Sequence, residues 1–163
     1  MSRKLALTKE DLLGLLKLRN AIIGNRNRVS LHMERAGKPA IEKLAVILTR
    51  EVRDLGTYNW VYGNIDESSD LLREVSKHLK AKLYFPQEGL CIPASHQRSE
   101  QIKIVFVRTS IGDADIAEIV NFRKGEGKEV TSAAVVTLFD FREKLLNPEI
   151  SVRSVYKGKD LPF

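Results

Sequence analysis

Three groups of side chains have the types and spacing to suggest chemistry. Asp113 and Asp115, followed by Glu126-Gly127-Lys128, match the order of a metal-dependent nuclease, in which carboxylates hold Mg²⁺ beside a positioned lysine. That chemistry needs the later acid and the lysine on an apolar strand, and here both sit in a glycine-rich connector. Asp113 and Asp115 are read in preference as turn and helix-cap residues. Cys91 and His96 bracket a Pro-bounded loop, and a thiolate–imidazole pair would be nucleophilic. Cys91 lies between Leu90 and Ile92, however, as a small core residue would. His32 and His78 have no ligand partners at metal spacing. Gly125–Lys128 lacks the spacing and the trailing hydroxyl residue of a Walker loop. No catalytic residue, metal or cofactor is assigned, and a non-enzymatic protein is expected.

The second group is basic. Residues 1–50 carry eleven Lys or Arg against four Asp or Glu, whereas residues 51–163 carry sixteen against seventeen, so the N-terminal part holds the whole surplus of the +6 chain. Such a field attracts polyanions over a Debye length of about 8 Å. Lys17, Arg19, Arg26, Arg28, Arg35, Lys38 and Lys43 are the candidate phosphate contacts, with Arg26 and Arg28 set among asparagines at a junction. A solvated helix face is the other reading of the same residues. A helix-turn-helix around Gly37 fails, because Met33 and Lys43 occupy positions that want a small and an apolar residue.

The third group is aromatic. Tyr58, Trp60 and Tyr62 alternate, so in a strand they share one face. They would either stack on unpaired bases or pack into the core. The motif sets of the RRM and OB folds are absent.

Elements must position these groups. Thr8 with Asp11 predicts a capping box opening a helix that runs through Ile23 to a stop at Gly24-Asn25. Ser30 is a candidate cap for a short helix through Arg35. Pro39 and the stripe Ile41, Leu44, Leu48, Val52 and Leu55 predict a helix over 39–55, and 69–80 predicts another. Short strands are expected at 83–85 and 90–92, a longer one at 101–108, a helix up to Arg123 and a late strand at 151–156. Residues 132–146 suit either a buried strand or a helix, and the helix is favoured for its Thr131 or Ser132 cap and charged tail.

The resulting picture is an α+β protein, with a basic helical N-terminal half packed on a mixed C-terminal half built on a small, mainly antiparallel sheet. A single domain over 1–163 is expected, divisible at 1–56 and 57–163. The one cysteine excludes an intramolecular disulfide and a thiolate zinc site within one chain. No apolar run reaches the ~18 residues of a membrane span, and a cytoplasmic location without membrane contact is expected. The functional expectation is a nucleic-acid-binding protein, with DNA or RNA as partner. The alternatives are a regulatory or protein-interaction module, possibly a homodimer docked through helix 39–55, and the metal-dependent nuclease.

Overall fold

The structure is a computed structural model that describes residues 8–25, 28–64, 69–87, 89–93, 101–127, 129–143 and 150–161. The first helix, α1 (Lys9–Leu18), starts at the expected capping box: Asp11 N–H donates to Thr8 Oγ1 (3.0 Å) and Thr8 N–H to Asp11 Oδ2 (3.3 Å). It ends earlier than its apolar pattern suggests, because Asn20 takes a left-handed turn at φ 51°. The β-branched pair Ile22-Ile23 then enters a strand, β1 (Ile22–Asn25), which pairs antiparallel with β2 (Arg28–Leu31). Gly24 makes this hairpin possible: its φ is +134°, and a side chain there would strike the Arg28 carbonyl. A single turn of helix, α2 (Met33–Ala36), follows, capped by His32 Nδ1 accepting from Arg35 N–H (3.2 Å) rather than by Ser30.

The long helix α3 (Lys38–Leu55) forms where its stripe predicts. Leu44, Leu48 and Val52 are fully buried. The apolar face offered to a partner in the homodimer reading is therefore spent on the chain's own core.

The main sheet corrects the fold expectation. Strands β3 (Trp60–Tyr62), β4 (Lys82–Tyr84), β5 (Ile102–Ile111), β6 (Val130–Asp140) and β7 (Ser151–Lys157) lie in the order β4-β3-β5-β6-β7, and every pair is parallel. This is an α/β sheet, not a small antiparallel one. Two of the crossovers that parallel pairing requires are the helices α4 (Ser69–Leu79), between β3 and β4, and α5 (Asp113–Lys124), between β5 and β6. Residues 130–140 are strand rather than helix for the same reason. β6 lies between β5 and β7, and both its faces are covered, so it reads as a continuous apolar run. Leu90–Ile92 forms no strand.

Alternation sorts the side chains into two cores. Val61, Val105, Val107, Val136 and Leu138 point to the layer of α1, α3 and α4, whereas Trp60, Tyr62, Ile104, Phe106 and Val135 point to Ile116, Ile119 and Phe122 of α5. Among the described residues no helix is long and apolar enough to cross a membrane.

At the end of β6 the Asp140 carboxylate is clasped by Arg142. The guanidinium donates through Nη2 (2.8 Å) and Nε (3.0 Å), the Arg142 N–H adds a third bond (3.0 Å), and the two side chains are 3% and 11% exposed. Burial alone would raise the Asp140 pKa. The Arg142 hydrogen bonds and charge, helped by Lys157, outweigh it and hold the carboxyl below its usual value. A lowered native pKa adds stability above the unfolded-state value near 3.9, and that stability is lost as pH falls through the native value. Asp140→Asn is expected to cost about 3 kcal/mol at neutral pH by leaving a buried guanidinium unpaired. Urea unfolding across pH should show the gap between wild type and variant closing below about pH 4.

Candidate active site at the carboxyl edge of the sheet

The strand order turns back between β3 and β5. The chain leaving β3 enters α4 on one face, and the chain leaving β5 enters α5 on the other. Their connections diverge, which opens a crevice beyond the carboxyl ends of the two strands, where open α/β sheets bind ligands. A cavity of about 860 Å³ occupies this place. Its floor is Arg108-Thr109-Ser110 at the end of β5. One wall is the β1–β2 hairpin with Gly24, Arg28 and Val29, another is Asn64 with Pro86–Gln87, and α5 contributes Asp115 and Glu118.

Each wall is held by identifiable bonds. The Ser110 hydroxyl accepts from Val29 N–H (2.9 Å) and donates to the Val29 carbonyl (3.1 Å), pinning the hairpin to the strand end. Arg108 is 6% exposed, so its charge needs partners. Nη1 donates to the Tyr62 carbonyl at the end of β3 (2.8 Å) and to the Val107 carbonyl (3.3 Å), and the guanidinium lies 5.5 Å from the Phe106 ring centroid. The cation thus bridges the two strands whose divergence makes the crevice.

The start of α5 carries its own acids. Asp115 Oδ2 accepts from Gly112 N–H (2.7 Å), and Asp113 Oδ2 accepts from Glu143 N–H (3.1 Å). Both carboxylates lie in the first turn, where they offset the positive end of the helix dipole.

Beneath the crevice lies a nest of rings. Trp60, Tyr62, Tyr84 and Phe106 contact one another with centroids 5.2–6.4 Å apart. Tyr62 OH donates to the Cys91 carbonyl (2.9 Å), and the Tyr84 hydroxyl meets Cys91 Sγ at 3.2 Å. Burial, then the nearby Cys91 and Tyr84, push the Tyr62 phenol far above its ordinary pKa, so it serves as a neutral donor. Trp60 is 4% exposed and Tyr62 fully buried, while Tyr58 precedes the strand and packs against the opposite core. His96 lies outside the described residues.

The basic residues distribute over several elements. Lys17 Nζ donates to the Asp160 carbonyl (2.9 Å). Arg19 and Arg35 donate to the Ala36 (2.7 Å) and Asn20 (3.3 Å) carbonyls. Lys38 and Lys43 stand on α3, and Arg26 lies outside the described residues. Of the seven, Arg28 lines the crevice.

The nuclease trio does not assemble. Asp113 and Asp115 open α5 and Glu126 follows its end, so roughly 18 Å of a helix rising ~1.5 Å per residue separates them. Among the described residues no three His, Cys, Asp or Glu gather to hold a metal. Sequence reasoning passed over Arg108, Ser110 and Glu118. One signal was present: an arginine ends the apolar run 104–107 just before a Gly-Asp helix start.

The sequence matches no family model and no curated protein. Solved structures do match. The orotate phosphoribosyltransferase of Aeropyrum pernix superposes with a TM-score of 0.64 at 19% identity, over 91% of this chain and 95% of that one. The adenine phosphoribosyltransferase of Rhodothermus marinus gives 0.59 at 15% identity, over 91% and 99%. The UMP synthase of Leishmania donovani gives 0.63 at 12% identity over 90% of this chain, which spans only 36% of that protein. These likenesses establish a phosphoribosyltransferase-type α/β fold. They overturn the expectation of a non-enzymatic DNA- or RNA-binding protein, which rested on net charge, a property that says nothing of fold, and that of a regulatory module, which rested on the apolar stripe of helix 39–55.

Ser110→Ala removes both bonds that pin the hairpin. Amide exchange at Val29 is expected to accelerate, global stability to fall by about 1 kcal/mol, and exchange at Val107 in the sheet core to slow or speed only with that global change.

Proposed function

We propose that the chain is an enzyme of nucleotide metabolism that binds a phosphoribosyl compound in the crevice between β3 and β5. The observation that carries this reading is the placement of a buried arginine, Arg108, on the floor of a large crevice at the sheet's switch point. The names of the solved structures that share the fold point to the same substrate class.

The polarity of the lining supports it. Arg28 and Arg108 supply planar guanidinium donors, which match the oxygens of a phosphate. Asp115 and Glu118 supply acceptors, which match the hydroxyl donors of a ribose. Moving a phosphoribosyl group breaks one bond at the anomeric carbon and forms another, and positive charge builds on the sugar ring between the two events. Carboxylates facing the same space favour that charge, and the guanidinium groups hold the phosphate end still. The hairpin pinned by Ser110 covers one side and limits the water that reaches the ring.

Titration calorimetry with nucleoside 5′-monophosphates tests the reading. One saturable site is expected, and Arg28→Ala should weaken it about tenfold, the size of one charge-assisted contact near 1.4 kcal/mol. A chromatographic assay for base-plus-donor turnover tests the transfer itself. Absence of binding by purine and pyrimidine monophosphates alike removes the proposal.

A further inference from the structure

A second cavity lies apart from the crevice and takes no part in the chemistry proposed there. It measures about 500 Å³ and opens between α1, the end of β7 and the 3₁₀ turn Gly158–Asp160. The two cavities share no lining residue.

Three lysines line it, Lys9, Lys17 and Lys157, and its acids are Glu10 and Asp160. Among the described residues no carboxylate forms an ion pair with any of the three lysines. Lys17 Nζ donates to the Asp160 carbonyl (2.9 Å), a neutral acceptor that leaves the charge uncompensated and two N–H donors unused. Lys9 Nζ stands 5.8 Å from the centroid of the Tyr156 ring. Lys157 favours the nearby Asp140 carboxylate, which Arg142 already clasps. The flanking sequence adds no acidic side chain: residues 1–7 bring Arg3 and Lys4, and residues 162–163 are Pro and Phe. Tyr156 OH donates to the Lys9 carbonyl (2.6 Å) and ties the start of α1 to β7, so the lining is held in place before any ligand arrives.

Gly14 supplies a second observation. It lies in the middle of α1 and lines the same cavity. Glycine is among the poorest helix formers. Its φ here is not positive, and a Cβ built on it would meet no described atom within 4 Å. Neither backbone conformation nor packing in the described chain calls for glycine at this place. Its effect is to leave the helix backbone bare beside the buried Leu13 and Val155, and a flat group can lie against that surface.

We propose that this cavity is a second ligand site, for a small phosphate-bearing molecule with a flat ring. The lysines, as point charges, meet the phosphate, and the ring lies on the bare backbone at Gly14. Glu10 and Asp160 accept from amino or hydroxyl groups of the same molecule. The site stands independently of the phosphoribosyl reading.

Nitrogen–proton correlation NMR of the full chain reads the two cavities separately. Inorganic phosphate should move the Gly14 and Lys157 amides saturably in the millimolar range, and sodium chloride at matched ionic strength should not. Equal shifts in both salts, or none in either, overturn the site. Adenosine 5′-monophosphate should half-saturate the same amides at a concentration about tenfold lower than phosphate does, and equal concentrations overturn the ring seat. Lys9→Gln with Lys157→Gln, both exposed, should raise both half-saturation points about tenfold; unchanged values overturn the lysine contact. Gly14→Leu suits a helix better than glycine and should abolish the advantage of the nucleotide over phosphate; a retained advantage overturns the role of Gly14. Nucleotide shifts at Ser110 with none at Gly14 leave the phosphoribosyl reading standing and remove this one.

Discussion

A parallel sheet in water must be covered on both faces, and the interior strand β5 shows how the chain meets this constraint. It pairs with β3 on one side and β6 on the other, and Ile104 to Val107 are fully buried in alternating directions. From that burial the rest follows. The helices α1, α3 and α4 must lie on one face and α5 on the other, because each face presents a continuous apolar surface. The chain then leaves β3 and β5 toward opposite layers, and the gap between the two exits is the crevice. The cavity is thus a product of topology before it is a product of any side chain.

Side chains decide what that cavity can attract. A helix start normally offers unpaired amides and the positive end of a dipole. Here Asp115 and Asp113 occupy that end, and the positive potential is carried by Arg108 and Arg28 instead. Arg108 tolerates burial because the Tyr62 carbonyl, the Val107 carbonyl and the Phe106 ring surround its guanidinium. The same contacts lock its direction. The crevice accordingly combines fixed cationic and acceptor groups in one space, a pairing suited to a ligand with a phosphate at one end and hydroxyls at the other.

Part of the surplus charge of residues 1–50 is engaged in holding the chain together. Arg19 and Arg35 donate to carbonyls near the ends of α1 and α2, and Lys17 donates to Asp160 O. These are local and long-range tethers that a count of charges cannot distinguish from a binding surface.

Local signals in the sequence settled the elements whose causes are themselves local. The Thr8–Asp11 box, the stripe from Ile41 to Val52 and the alternation of Ile102–Arg108 each carry their physical reason within a few residues, and each formed where expected. The faces of Trp60 and Tyr62 were legible for the same reason. Tertiary structure alone decided the direction of strand pairing, because a parallel ladder depends on where a helix returns the chain, not on the residues in the strand. It decided 130–140 as strand, since a run buried on both faces has no period to separate it from a buried helix. It ended α1 at Leu18 by giving Ile22 and Ile23 partners, Leu31 and Ser30, in the strand that follows. It also made the candidate site, for Arg28, Arg108 and Glu118 stand on three elements separated by up to ninety residues of chain, and only the divergence of β3 and β5 brings them to one crevice.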